Sequence, residues 1–172
     1  MPMRPGLRQF ALTAHVACSV GWLGADAGFL ALAVAGLTSQ NAQLVRAVYL
    51  AMEVTAWFVI VPLSFASLLT GLVQALGTKW GLFRHYWILV KLLLTIFATI
   101  ALLVHMQPIG YLARVAAETT LSSADLRLQI QLVVAPGIGL LVLLAATALA
   151  VYKPRGMTRY GWRKQQEQRE RQ

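Results

Sequence analysis

Four apolar runs, each long enough to cross a bilayer, constrain this chain more than any other feature. A helix needs about 20 apolar residues to span the hydrocarbon. The runs cover roughly residues 7–37, 42–76, 86–107 and 126–152. The chain is 58% hydrophobic and 12% charged, with a mean hydropathy of +0.64, whereas a water-soluble domain is near half apolar and a quarter charged. The excess apolar surface must therefore face lipid. The reading is an all-α integral membrane four-helix bundle over residues 1–152, followed by a basic tail over 153–172.

The direction of the spans follows from the placement of Lys and Arg. Arg4, Arg8, Lys79, Arg84 and the seven basic residues of the tail lie on one side, against Arg46, Arg114 and Arg127 on the other. Leaving aside Lys91 within a span, that is eleven against three. The heavy side is expected to be cytoplasmic, which puts both termini there and the protein in the cell membrane as a multi-pass protein. Net charge is +9, but its concentration in a juxtamembrane tail points to anionic inner-leaflet lipids rather than nucleic acid. Tyr86, Trp80, Trp87, Tyr152, Tyr160 and Trp162 read as an aromatic belt at the inner interface. Arg4 and Arg8 with Ala25-Asp26-Ala27 mimic a cleavable leader, yet the apolar run continues to Gly36 and reads as a span.

Local signals refine this picture. Thr38-Ser39-Gln40-Asn41 and Ser122-Ser123-Ala124-Asp125 supply turn and N-cap chemistry before the second and fourth spans. Pro62 and Pro136 each predict a kink. Residues 109–121 place Ile109, Leu112, Val115 and Ala116 on one face, which predicts a short helix lying on the outer surface. Cys18 is the lone cysteine, so internal disulfides and paired-Cys zinc sites are excluded. No GxSxG, Walker loop or HExxH is present, and no inverted repeat suggests a transporter.

Function is sought among ionisable residues within the spans, since each is costly there unless paired or facing a polar interior. At about 100° per residue, His15 and Asp26 share one face of the first helix, with Ser19 and Trp22 between them. Lys91 and His105 share one face of the third, with Thr95, Ala98 and Leu102 between. Glu53 aligns with Trp57, Ile60, Ser64, Ser67 and Gly71 on the second. These stripes should converge on the bundle interior, His15 near Lys91 toward the inner side, and Asp26, Glu53 and His105 farther out. Each residue also has a plainer role. His15 and Asp26 serve equally as helix-packing hydrogen-bonders, the latter within Gly24-Ala25-Asp26-Ala27-Gly28, and Lys91 as a snorkelling cation.

Two readings follow from the residues. In one, Asp26, Glu53 and His105, near Met52 and Met106, form an outward copper or cation site. In the other, the bundle is a non-catalytic accessory subunit, with a second copy or a larger membrane complex as its partner.

Two stretches carry a family resemblance. One is His15-Val-Ala-Cys-Ser-Val-Gly-Trp22-Leu-Gly24. The other is Thr70-Gly71-Leu-Val-Gln74, then Thr78-Lys-Trp80-Gly81, then Trp87-Ile-Leu-Val-Lys91. The pattern resembles the small four-helix membrane proteins that include the copper-resistance D (CopD) group, a related family of unknown function, and the HemJ-type protoporphyrinogen oxidases. It is closest to the uncharacterised branch. The resemblance implies haem b and porphyrinogen oxidation, with His15 and Lys91 as the positions carried over. It adds a third reading, a haem-binding redox protein in which His15 would be an axial ligand, Lys91 would act as propionate partner, second ligand or substrate anchor, and Trp22 would line the pocket. His105 would stand for a second histidine of the third helix, at a longer spacing from Lys91.

Overall fold

The computed structural model describes residues 4–77, 85–118 and 125–152, with Gly156, Thr158, residues 161–163, Gln166 and Glu170 of the tail. Four helices make up almost all of it: α1 (Pro5–Thr38), α2 (Ala42–Gly77), α3 (Tyr86–Glu118) and α4 (Leu126–Tyr152). All four are long and apolar enough to cross a membrane. At about 1.5 Å per residue, the first three are roughly 50 Å long, well beyond the ~30 Å hydrocarbon layer. Phe10, Phe58, Leu69, Phe97 and Leu141 are among many large apolar side chains on the outside. Such a surface suits lipid as solvent.

Helix ends follow local chemistry. Pro5 opens α1, where a missing N–H costs nothing. The chain turns extended at Ser39, and Asn41 then caps α2, its Oδ1 accepting from the backbone N–H groups of Gln43 and Leu44. Ser122, Ser123, Ala124, Lys79, Trp80 and Arg84 lie outside the described residues, as does most of the basic tail.

The helices run alternately up and down, so both ends of the bundle emerge at one side. α1 packs along α2 and α4, and α3 packs along the same two, leaving α1 and α3 on a diagonal. The antiparallel register of α1 on α2 is legible in a series of close contacts: Ala11 with Gln74, His15 with Thr70, Ser19 with Ser67, and Gly36 with Tyr49. A side chain at Gly36 would meet the Tyr49 ring at 3.2 Å.

Two elements differ from the sequence expectation. α2 does not kink simply at Pro62. Residues Ala56–Ile60 form one π-turn, closed by the Val61 N–H donating to the Ala56 carbonyl. A π-turn inserts one residue into the helix and gives Pro62, which has no N–H and crowds the preceding turn, a place to fit. α3 does not stop near residue 107. It continues through Pro108 to Glu118, and the expected separate surface helix is its last turns. Ile109, Leu112, Ala113 and Ala116 are buried in the core, so their apolar face packs on α2 rather than on a membrane surface.

The tight core fills the half of the bundle away from the chain ends. Phe29, Ala33, Tyr49, Met52, Met106 and Leu112 are among its members. The half that carries the ends is less densely filled, and there the bundle encloses a cavity.

Candidate functional site

The cavity has a volume of about 690 Å³ and is lined by all four helices. That is within the usual range for small-molecule sites. His15, Ser19 and Trp22 reach it from α1, Ser67, Gly71 and Gln74 from α2, Lys91 and Thr95 from α3, and Thr147 from α4. Trp22 is 3% exposed and also belongs to the core, so it forms the boundary between packed half and cavity.

His15 is held in one orientation. Its Nδ1 lies 3.1 Å from the Ser67 carbonyl oxygen and 3.1 Å from Thr70 Oγ1. The Thr70 hydroxyl spends its own proton on the Ala66 carbonyl at 2.6 Å. Both neighbours therefore accept, and Nδ1 must carry the imidazole proton. Nε2 is left with its lone pair. Gly71 makes this possible, because a Cβ there would lie 3.0 Å from His15 Cε1. One turn toward the chain ends, Gln74 Nε2 donates to the Ala11 carbonyl at 2.9 Å. One turn the other way, the Ser19 and Ser67 hydroxyls pair at 2.8 Å. Three rungs thus clamp α1 to α2 around the histidine.

Lys91 is half-buried, with its Nζ 5.8 Å from the centroid of the Trp87 ring, a cation–π arrangement. The carbonyl of Lys91 accepts the Thr95 hydroxyl at 2.8 Å, and that of Thr95 accepts the Thr99 hydroxyl at 2.9 Å. Arg8 also lines the cavity, and among the described residues its lining contains no Asp or Glu. Basic and neutral polar groups therefore share a largely aliphatic chamber.

The structure brings His15, Trp22 and Lys91 to one cavity, but it does not gather Asp26, Glu53 and His105. Asp26 is buried against α4, its Oδ2 3.1 Å from where a Cβ on Gly139 would stand. Glu53 lies over Gly110 of α3, beside an outer groove of about 810 Å³ that also holds Trp57 and Arg114. The ring of His105 lies 2.7 Å through Nδ1 from its own helix's Ala101 carbonyl, and 3.3 Å through Nε2 from the Gln131 amide nitrogen of α4. Three residues on three helices thus meet three different neighbours. Among the described residues no group of three or more His, Cys, Asp or Glu is close enough to hold one metal ion. Met52 and Met106 are core residues.

Arg8, Gln74 and Thr147 escaped the sequence reading of the site. Gln74 had a signal: it lies four residues beyond Thr70 as Ala11 lies four before His15, the spacing of successive antiparallel rungs. Thr147 had none, because the middle of the fourth span is otherwise uniformly apolar or small. Compared with known proteins, the chain matches no family model, no curated protein and no solved structure.

Proposed function

We propose that this multi-pass membrane protein binds haem b in its cavity and acts as a redox protein of the CopD/HemJ-like type, with both termini on the cytoplasmic face of the cell membrane. One observation carries the reading. His15 donates through Nδ1 to a backbone carbonyl and a hydroxyl, leaving Nε2 as the free donor atom in a chamber that Lys91 shares. Metal-ligating histidines typically have their second nitrogen fixed by such a partner. The residues that fix it, Ser67, Thr70 and Gly71, include two of the motif on which the resemblance rests.

The donor set suits the group. His15 is the single imidazole in the lining, and Lys91 and Arg8 are cations suited to propionates. Trp22 and the aliphatic walls would cover an apolar macrocycle. Bound haem b would supply one-electron chemistry, its potential tuned by axial ligand and burial. The chain's own part is to hold Nε2 in place, to neutralise carboxylates, and to keep water from the inner end of the chamber.

The test is the visible spectrum of the purified protein, oxidised and reduced. A Soret band lost in His15→Ala and in Ala146→Phe, which puts a ring into the cavity but keeps the histidine, is the expected result. A colourless protein from haem-replete cells would sink the reading.

A second reading, an accessory subunit, has one observation in its favour. Gly24 and Gly28 face outward with nothing within 4 Å of a Cβ on either, leaving bare backbone of the kind that membrane helices pack against. Under that reading His15→Ala would loosen the bundle and change no spectrum.

A further inference from the structure

We infer that the cavity opens sideways into the bilayer, through a slot between α1 and α4, and that its ligand is an amphiphile with an anionic head that arrives dissolved in the membrane. This shares with the haem reading the premise that the cavity is a ligand site, but it does not depend on iron.

The first observation is where the lining is exposed. Leu12, Val16 and Val20 of α1 and Val151 of α4 all line the cavity, yet they are 52%, 50%, 63% and 70% exposed. Arg8 and Thr147 are the other exposed lining residues among those described, again on α1 and α4, while every described lining residue on α2 and α3 is buried or half-buried. A wall that is exposed on two neighbouring helices and covered on the other two places the mouth between the exposed pair. Four of its six exposed residues are aliphatic, so the mouth faces hydrocarbon.

The second observation is how the helices are joined. α1 is tied to α2 in this half by the three hydrogen-bonded rungs at Ala11, His15 and Ser19. Among the described residues no hydrogen bond joins α1 to α4. The close contact of Asp26 with Gly139 lies beyond Trp22, in the packed half. Among the described residues α1 is thus hydrogen-bonded on one flank and held by packing alone on the other.

The third observation is charge. Among the described residues Arg8, His15 and Lys91 line the chamber and no carboxylate does. A half-buried cation within an apolar span is costly without an opposite charge, and an anionic head beside Lys91 supplies one. From Arg8 to Val20 the α1 wall runs about 18 Å, which suits an elongated apolar body with its head at the end nearest the chain termini.

The experiment uses the full chain in phosphatidylcholine vesicles, with Trp57, Trp80 and Trp162 changed to Phe so that the two cavity tryptophans, Trp22 and Trp87, report. Bromostearate should quench them saturably, beyond the quenching by bromostearyl alcohol or brominated phosphatidylcholine at equal bromine density. Lys91→Met should raise the half-saturating concentration by about tenfold or more, the scale of a lost charge-assisted bond. Val16→Phe, on the lipid side of the slot, should slow the onset of quenching with little change at saturation, and it covers the case in which the lysine variant fails to fold. Displacement by unlabelled stearate or by lysophosphatidate tells a carboxylate head from a phosphate one, and either supports the inference. Equal, unsaturable quenching by all three brominated probes would overturn it. A chain with a Soret band and that result keeps the haem reading and loses this one; a colourless chain with saturable quenching does the reverse.

Discussion

His15 and Gly71 account for each other. The imidazole lies so close to α2 that any side chain at 71 would strike it at 3.0 Å. Gly71→Ala should therefore displace the ring and destabilise the detergent-solubilised protein by about 1–3 kcal/mol, the usual cost of overpacking. Gly24→Ala and Gly28→Ala, with open space around them, should stay within about 0.5 kcal/mol of the parent. Thermal unfolding of the three variants checks the contrast, and equal losses at all three positions would mean the ring is not seated where it is described. Tyr49 offers the opposite case. Its hydroxyl is buried with no hydrogen-bond partner among the described residues, so Tyr49→Phe should raise stability by about 1 kcal/mol, the penalty of a stranded polar group. A fall in melting temperature would show that the hydroxyl is satisfied. For Ser19 and Ser67, a double-mutant cycle to Ala should give a coupling near 0.6 kcal/mol, typical of hydrogen bonds between membrane helices. At this scale the residue types were visible in the chain and their partners were not. Gly24 and Gly28 read as helix-contact glycines from spacing alone, yet they point outward, whereas Gly36, Gly71, Gly110 and Gly139 are pressed by neighbouring side chains.

Among the elements, α2 shows how one turn redirects a whole stripe. A uniform 100° step placed Glu53, Trp57, Ile60 and Ser64 on one inner face. In the structure the buried stripe is Met52, Ala56, Ile60, Ser64 and Ser67, and Trp57 is 50% exposed. Repeated steps of four residues drift on a regular helix; the π-turn at Ala56–Ile60 absorbs the drift and turns Trp57 out. It follows that Val59 is close to an inserted residue. Deleting Val59 together with Pro62→Ala should leave a folded, monodisperse bundle, because a regular helix then joins the same two faces. Deleting Leu69, within the regular part, should rotate Thr70, Gly71 and Gln74 by about 100° away from α1. Size-exclusion profiles of the two deletions decide the matter, and equal tolerance would deny the π-turn its role in alignment. The apolar face of residues 109–116 in α3 was legible in the same way: the pattern was correct, and the surface it packs on was another helix.

For the whole molecule, an even number of antiparallel spans obliges both ends of the bundle to share a side, and the cavity lies in the half that carries them. The proposed topology, read from the distribution of Lys and Arg, puts that side in the cytoplasm. In a Cys18→Ser background, a cysteine at Gln172 should react with an impermeant maleimide only after cells are opened. One at Gln40, in the turn between α1 and α2, should react in intact cells. The reverse pattern would invert the topology and place the cavity in the outer leaflet.

Periodicity and length in the sequence were enough for four helices long and apolar enough to cross a membrane, for where each begins, and for the α1 and α3 stripes that carry His15 and Lys91. These depend on the energy of each segment against lipid and water, which the segment carries with it. Which polar residues meet was decided by tertiary structure alone. His15, Trp22 and Lys91 line one chamber because α1 and α3 face each other across the bundle. Asp26, Glu53 and His105 part because each is pressed on a different neighbour. Such meetings depend on packing order, register and one π-turn, and no segment contains any of these by itself.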